Sequence, residues 1–466
     1  MLTAELNVAV INIVLNRKLK YIFITLSIIY LVYATVIEKM MEEFRLPEEV
    51  WVHVFQFLST PDKLSVRSSC RFFMRLIDRP VLWKNTTLYI EKINSFTSHS
   101  WRTLSNRKIT SVVVLKTNGK EWKQLALRLP WIHSITLDVC CANALNSLSE
   151  FKNLTRLVLR RCICPSLTSL SALRELSHLS LCEVVCAPTS DIINALSQLT
   201  TLTSLHYHAC SKPIPTAAFH NLLQRLPKLK QLSLKMGPNH GPVSKDALFL
   251  PQGNHMPEGS RCRVPALISL ELLNYMDPIL SPVALQGLPS LKFLTVQYRD
   301  WSPKSKLCHL KTWLSTMPLL SKLNISLGPP LGVYANSVPA TVQHLSLKGV
   351  TAEFKALRDL AHRVPDLLHL HLDLCFHKTQ RVIAEVPWLF PKLQSLAIRH
   401  YKVPVEELLG LAQLSHLKHL VILDPTTGPN SALMDLTQKM HIQTNYRVII
   451  HLSGPEHPNA CLCANY

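Results

Sequence analysis

Two histidine pairs are the side chains of this chain whose type and spacing could bind a metal ion. His206-x-His208 and His369-x-His371 each place two imidazoles on one face of a β-strand, because alternate strand residues point the same way. The two pairs lie about six strands of a predicted sheet apart, or roughly 30 Å, so they cannot share an ion. His344 could join the second pair from the neighbouring strand. A polar binding groove explains these residues more simply than zinc coordination does, so we predict no metal site and no cofactor.

The rest of the chain lacks the short motifs of common enzymes. It contains no phosphate-binding glycine loop, no G-x-S-x-G and no H-E-x-x-H sequence. Its 13 cysteines show no paired C-x-x-C spacing, which favours free thiols in the cytoplasm or nucleus over a disulfide framework. The net charge of +20 favours acidic partners, with nucleic acid as a weaker alternative. The chain is therefore predicted to bind other molecules rather than to catalyse a reaction.

One apolar pattern recurs through most of the chain. The segment LTRLVLRRC from Leu154 has the spacing L-x-x-L-x-L, and LLHLHLDLC from Leu367 repeats it. Most intervals between such frames fall within the range of about 20–29 residues that is typical of leucine-rich repeats. One unit cannot bury its own leucines, so neighbouring units are expected to stack into a solenoid with a parallel sheet along its concave side. The thirteen frames begin at Ile109, Ile132, Leu154, Leu176, Leu202, Leu229, Leu267, Leu291, Leu320, Val342, Leu367, Leu393 and Leu417.

Helical segments are predicted between the strands. In ALRDLAHRV, residues 356–364, the apolar side chains recur three and four residues apart, as on one face of a helix. Pro227 and Pro365 each stand two residues before the first leucine of a frame, where a proline ends the helix and directs the chain back toward the strand. The expected fold is an α/β horseshoe with a parallel concave sheet and convex helices.

The side chains that point out of the predicted sheet are mostly polar. Lysine, arginine and histidine dominate these positions, whereas Asp138, Glu271 and Asp373 are the acidic ones. The groove should therefore be basic, and more so below about pH 6.5, where histidines become charged. An acidic or phosphorylated segment of a target protein is the preferred ligand. The candidate target-binding residues are Arg156, Arg160, His206, His208, Lys235, His344, Lys348, His369, His371 and Arg399.

The N-terminal segment 21–37, YIFITLSIIYLVYATVI, is uncharged and mostly apolar. It is slightly short for a spanning helix of about 20 residues and slightly long for the core of a signal peptide. The basic residues that precede it would send the rest of the chain across the membrane, which conflicts with a cytosolic body. Three interpretations stay open: an upstream extension of a chain that begins at Met40 or Met41, a membrane anchor of the opposite orientation, and a buried hydrophobic helix.

The stretch LPEEVWVHVFQFL, from Leu46, predicts an amphipathic helix. Pro47 suits the first helical turn, and Glu48 and Glu49 place negative charge at the positive end of the helix dipole. Its apolar residues cover an arc of roughly 160°, whereas a helix that packs on one small core needs about 100°. The excess predicts a second surface to be covered by a partner. The apolar residues are Val50, Trp51, Val54, Phe55, Phe57 and Leu58.

Residues 46–90 resemble an F-box, and with the repeats the chain resembles the F-box/leucine-rich-repeat family. The matching features are Leu46-Pro47, the break Pro61-Asp62-Lys63-Leu64, Cys70-Arg71 and Leu82-Trp83. The resemblance implies a substrate-recognition subunit of a Skp–cullin–F-box ubiquitin ligase. This subunit would bind a Skp-type adaptor, and through it a cullin–RING scaffold, while the repeats would select the target. It further implies that the adaptor contacts are Leu46, Pro47, Val54, Phe55, Leu58, Leu64, Val66 and Cys70.

Two positions depart from the F-box pattern. Family members often have Val-Cys-Arg-x-Trp in the second helix, where this chain has Ser69 and Phe73 at the first and last of these positions. The alternative function is therefore a leucine-rich-repeat scaffold without a ligase role, with or without a membrane anchor. The expected divisions are an N-terminal extension (1–40), the F-box-like module (41–90), the repeat array (91–445) and a C-terminal cap or tail (446–466). We expect a cytoplasmic or nuclear location.

Overall fold

The chain forms two compact units that divide after Asn85. The apolar segment 21–37 lies outside the residues that the computed structural model describes, as do residues 454–466 of the predicted tail. The described residues are 46–115, 119–139, 145–164, 166–186, 189–208, 216–236, 266–277, 279–299, 308–375, 382–399, 405–423 and 431–453.

The described part of the first unit contains three short helices, α1 (Glu48–Gln56), α2 (Thr60–Arg67) and α3 (Arg71–Ile77). Helix α1 begins directly after Pro47, as the sequence predicts. Ser59 caps α2, since its hydroxyl accepts a hydrogen bond of 3.3 Å from the backbone N–H of Asp62. Cys70 caps α3 in the same way, and its Sγ accepts from the N–H of Phe73 at 3.4 Å.

Polar groups brace the small interior of this unit. The buried ammonium of Lys63 donates to the Leu82 carbonyl at 3.1 Å, and the Trp83 indole N–H donates to the carbonyl of Ile77. Arg67 forms a two-pronged ion pair with Asp78, with N–O distances of 2.9 to 3.1 Å. This hydrogen bonding raises the pKa of the Arg67 guanidinium. The apolar core consists of Phe55, Leu76, Ile77, Leu82 and Trp83.

The second unit is built on one long parallel sheet. In the described residues its fifteen strands follow one another in chain order, except that β5 and β7 form a separate small parallel pair. The strands are β1 (Thr87–Ile90), β2 (Ser111–Leu115), β3 (Ser134–Asp138), β4 (Arg156–Arg160), β5 (Ile163–Cys164), β6 (His178–Cys182), β7 (Val185–Cys186), β8 (Ser204–His208), β9 (Gln231–Lys235), β10 (Ser269–Tyr275), β11 (Phe293–Tyr298), β12 (Lys322–Ser326), β13 (His344–Thr351), β14 (His369–Cys375), β15 (Ser395–Arg399), β16 (His419–Leu423) and β17 (Ile449–Ser453).

Each of the thirteen predicted frames contains a strand that begins two residues after its first apolar residue. Within β4, for example, Leu157 and Leu159 are buried, whereas Arg156 and Arg160 are half-buried on the opposite face. The prediction of a leucine-rich-repeat solenoid with a parallel sheet is confirmed. Strands β1 and β17 were not predicted, and they are the edge strands of this open sheet. Strand β1 lies within the range expected for the head module, and β17 lies beyond the expected end of the array.

Helices and short 3₁₀ turns connect the strands. In α9, the buried side chains Ala356, Leu357, Leu360 and Ala361 have the predicted spacing of three and four residues. The turn that follows places Leu367 at the start of its frame, with its N–H bonded to the Val364 carbonyl at 3.2 Å. The helices are α4 (Ser98–Arg107), α5 (Gly119–Arg128), α6 (Thr189–Ser197), α7 (Thr216–Arg225), α8 (Leu310–Ser315), α9 (Phe354–Arg363), α10 (Val382–Leu389), α11 (Val405–Gly410) and α12 (Ser431–Gln443).

None of the helices in the described ranges combines the length and the apolar composition that a membrane crossing needs.

Candidate functional site

Helix α1 buries one of its two apolar faces inside the first unit. Phe55 is 3% exposed, and its ring centroid lies 5.7 Å from that of Trp51 and 5.3 Å from that of Phe73. Trp51 and Phe73 also meet edge to face at 5.0 Å. Phe55, which was predicted to face the adaptor, lies instead in the interior. The 100° rotation per residue turns it toward α3, away from its neighbour Val54.

The other apolar face of α1 is open to solvent. Leu46, Val50, Val54 and Phe57 are all exposed, and Phe57 is 79% exposed. Val50, Val54 and Phe57 are spaced four and three residues apart, which aligns them in one stripe along the helix, and Leu46 lies just before the helix begins. We call these four residues the apolar stripe. Val50 and Phe57 were absent from the expected adaptor contacts, although their spacing from Val54 could have placed them there.

Of the remaining predicted adaptor residues, Pro47 precedes α1 and the others lie in or near α2. Pro47, Leu64 and Cys70 are exposed, whereas Leu58 and Val66 are half-buried. Leu64 therefore presents a further apolar side chain on α2. The thiol of Cys70 is engaged as the cap of α3, so its contribution is to the start of that helix.

The two departures from the F-box pattern have separate local roles. Ser69 is exposed, and its hydroxyl donates to the Val66 carbonyl at 2.7 Å, just after the end of α2. It therefore replaces no buried apolar side chain. Phe73 supplies aromatic bulk to the interior against Trp51 and Phe55.

The second candidate surface lies on the sheet. We call the residues at strand positions one, three and five the groove face, because they share the side opposite the buried leucines. In β2–β9 the third-position residues are buried, with the exception of His206. From β10 to β16 each third-position residue is half-buried: Glu271, Thr295, Asn324, Ser346, His371, Ala397 and Val421. The accessible part of the groove face therefore lies in β10–β16.

Basic side chains cluster in this accessible part. In the first position of successive strands, Lys322 pairs in register with His344, and His344 with His369. The two imidazoles stack face to face with centroids 4.1 Å apart and planes 5° apart. Burial lowers the pKa of both histidines, and neighbouring positive groups, among them Lys322 and His419, lower the pKa further. Both imidazoles are therefore neutral at pH 7, and they become cationic only at a lower pH than a free imidazole does.

Two acidic residues of the groove face are neutralised by arginine. Asp138 accepts from Arg161, with N–O distances of 2.6 to 2.9 Å, and Asp373 accepts from both Nε and Nη2 of Arg399. These carboxylates therefore do little to offset the positive charge nearby. Arg160 differs, because its Nε and Nη2 are buried without a hydrogen-bond partner among the described residues.

His208, a predicted target-binding residue, lies below the surface. It is 1% exposed, because Cys182 and Ser233 on the neighbouring strands contact its two ring nitrogens at 3.7 and 2.7 Å. Its ring also stacks at 5.7 Å on that of His206, so the two imidazoles do not converge on one point. In the residues that the structure describes, no three His, Cys, Asp or Glu side chains are placed to hold a metal ion. The other predicted target-binding residues are half-buried: Arg156, Arg160, His206, Lys235, His344, Lys348, His369, His371 and Arg399.

Comparison with known protein families identifies the first unit. The family model described as F-box-like matches residues 44–89. The N-terminal module is an F-box-like domain. No curated protein matches the chain. Solved structures that are similar to the chain include two with low sequence identity. They are a chain of the yeast Rad7–Elc1 complex (15% identity, TM-score 0.45, covering 79% of this chain and 92% of that one) and internalin inlF of Listeria monocytogenes (14% identity, TM-score 0.33, covering 74% and 86%).

Proposed function

We propose that this protein is the substrate-recognition subunit of a Skp–cullin–F-box type ubiquitin ligase, acting in the cytoplasm or nucleus. The F-box-like module would bind a Skp-type adaptor, which connects it to a cullin–RING scaffold, and the repeat array would bind the target protein. The observation that carries the proposal is the match of residues 44–89 to the F-box-like family, together with the apolar stripe that this module leaves exposed. Such a subunit acts by proximity, since it raises the effective concentration of the target near the ubiquitin donor.

The adaptor surface is assigned to the apolar stripe and to Leu64 on α2. Four of these side chains are about half exposed and Phe57 is 79% exposed, so together they would bury on the order of 300 Å² of apolar area. At about 25 cal/mol per Å², this is roughly 7 kcal/mol of favourable transfer free energy before the costs of association. An apolar contact of this kind is disrupted by a single buried charge.

The adaptor test replaces Val54 or Leu64 by aspartate in the full chain, co-expressed with a Skp-type adaptor. Both side chains are exposed, so thermal stability should change little, whereas adaptor affinity should fall about a hundredfold. Leu127→Asp is the matched control, because Leu127 is 82% exposed on α5 of the repeat array. Retention of the adaptor by both module variants would refute the assignment. A native chain that never co-purifies with the adaptor would favour a scaffold without a ligase role.

The target surface is assigned to the accessible part of the groove face. Lys322 and the half-buried Lys348, His344, His369 and His371 give it a basic character that suits an acidic or phosphorylated segment. The probe is a pair of synthetic peptides of equal length, one acidic and one neutral. We expect the acidic peptide to bind more tightly and to lose affinity as salt is raised.

Charge reversal tests the placement of this surface. Lys322→Glu should weaken binding of the acidic peptide about tenfold, because the substitution replaces attraction by repulsion at a half-enclosed site. Lys152→Glu is the matched control, since Lys152 is exposed and lies outside the strands. Equal loss in both variants would show that only net charge matters, and no loss in either would place the target elsewhere.

A further inference from the structure

The stacked imidazoles of His344 and His369 lie at the centre of the accessible part of the groove face. In register with them, Lys322 stands beside His344 on β12, and the uncharged Ser395 stands beside His369 on β15. Both rings are half-buried, and neither makes a hydrogen bond within the part of the chain that the structure describes. Because the ring centroids are only 4.1 Å apart, one small ligand group can contact both imidazoles at once. We call His344 and His369 the stacked pair.

The charged groups around the stacked pair are mainly basic. On the groove face of β12–β15 the other titratable residues are Lys322, Lys348, His371, Asp373 and Arg399, and His419 lies one strand further. Asp373, which is the carboxylate of this set, is engaged in an ion pair with Arg399. Lys322 therefore supplies positive charge next to the pair, and no carboxylate on these strands is left to balance it.

The charge of a bound ligand decides whether the stacked pair becomes protonated. At pH 7 the two imidazoles are neutral, so Lys322 is the cation in register with them. A ligand group with one negative charge is balanced by this lysine. A group with two negative charges keeps negative charge in excess, and this excess favours the charged form of an imidazole that it contacts. An imidazolium also donates hydrogen bonds from both ring nitrogens, whereas a neutral imidazole donates from one.

We propose that the target binds the stacked pair through a group with two negative charges, and that the pair takes up about one proton from solvent when this group binds. A phosphate monoester and two adjacent carboxylates both have this charge. The inference rests on the proposed target surface and deepens it, because it specifies the charge of the ligand and makes binding depend on pH. Since binding consumes a proton, affinity rises as the pH falls.

Isothermal titration calorimetry of the full chain at pH 7 measures this proton uptake. The heat of binding differs between buffers of different ionisation enthalpy in proportion to the number of protons taken up. Three peptides of equal length carry a phosphoserine, two adjacent glutamates or a single glutamate at the same place. We expect an uptake of about one proton for each doubly charged peptide, and an affinity that falls about tenfold from about pH 6.5 to 7.5. The peptide with a single glutamate should bind more weakly and take up much less than one proton.

The outcomes separate this inference from the proposed target surface. Uptake with the phosphoserine peptide alone would support the inference and identify a phosphate as the ligand group, and uptake with both doubly charged peptides would support it with charge as the criterion. Tight binding of these peptides without buffer-dependent heat would overturn the inference and leave the target surface standing. Failure of all three peptides to bind would overturn both.

Glutamine variants assign the proton to the stacked pair. His344→Gln and His369→Gln keep a polar side chain that does not titrate, so each should remove at least about half of the uptake and flatten the pH dependence of affinity. Both side chains are half-buried on the groove face, and thermal unfolding at pH 7 verifies that the variants fold. His362→Gln is the matched control, because His362 is exposed on α9, outside the sheet. Full uptake in both pair variants, or an equal loss in the control, would overturn the assignment.

Discussion

Two neighbouring residues on α1, Phe55 and Val54, should differ strongly in how much their truncation to alanine destabilises the protein. Phe55 is buried between two aromatic rings, with centroid distances of 5.7 and 5.3 Å. Phe55→Ala removes most of this buried ring and both ring contacts, which costs about 3–5 kcal/mol in a typical core. Val54 lies one residue earlier but is exposed, so Val54→Ala should change stability by no more than about 0.5 kcal/mol.

Amide hydrogen exchange of peptides that cover α1 tests this difference within the module. A loss of about 3–5 kcal/mol corresponds to faster exchange by a factor on the order of a hundred to several thousand, since each 1.4 kcal/mol is about tenfold. Peptides from the repeat array serve as the internal reference. Equal protection in the two variants would refute the division of α1 into a buried face and a binding face. Loss of protection in Val54→Ala but not in Phe55→Ala would show that Val54, and not Phe55, lies on the buried face of α1.

Three further perturbations test the array. Gly349 has a φ of +59°, and an added Cβ would lie 2.8 Å from Cδ2 of Leu327. Gly349→Ala should therefore destabilise by about 1–2 kcal/mol, mainly through its backbone conformation. Gly410→Ala in α11 meets no neighbour and should be neutral or stabilising, and thermal unfolding compares the two. Burial raises the pKa of Asp277, and a raised folded-state pKa disfavours folding above that pKa. Asp277→Asn should therefore raise Tm at pH 7, and the gain should shrink toward pH 3, below the unfolded-state pKa of about 3.9, where the acid is neutral in both states. The pKa values of His344 and His369 are lowered, so the folded state resists their protonation. Stability should fall as pH drops below about 6.5, and less so in His344→Gln, as Tm between pH 5 and 7.5 would show.

The fold could be predicted in detail because the leucine-rich pattern is periodic. A leucine in the wrong register would turn every side chain of its strand to the other face, so the frame fixes the strand to the residue. The edge strands β1 and β17 escaped prediction because Asn85 and Arg447 stand two residues before them, where the other frames have their leading apolar residue. Their pairing with a neighbouring strand makes them strands, and this contact is not visible in the local pattern.

The candidate sites could be predicted only in part. Periodicity showed that α1 has too much apolar surface, but it did not show which part of the arc turns inward. That choice depends on Phe73, which lies in another helix. The groove residues were placed correctly on one face by alternation. Burial of His208 could not be foreseen, because it depends on side chains from β6 and β9.

The two parts of the groove face accommodate polar residues in different ways. In β6–β10, polar side chains are buried and satisfy one another through directed hydrogen bonds. In β12–β14, the first-position residues Lys322, His344 and His369 lie side by side on half-open strands, and Lys322, together with His419 two strands beyond His369, opposes protonation of the two histidines. Like charges on facing strands destabilise a sheet by roughly 0.2–1 kcal/mol per pair. The hydrophobic core does not require these basic side chains, because the leucines of the same strands point to the opposite face of the sheet. An acidic segment that binds there would favour protonation of His344 and His369, so this row would become more basic in the complex than in the folded chain alone.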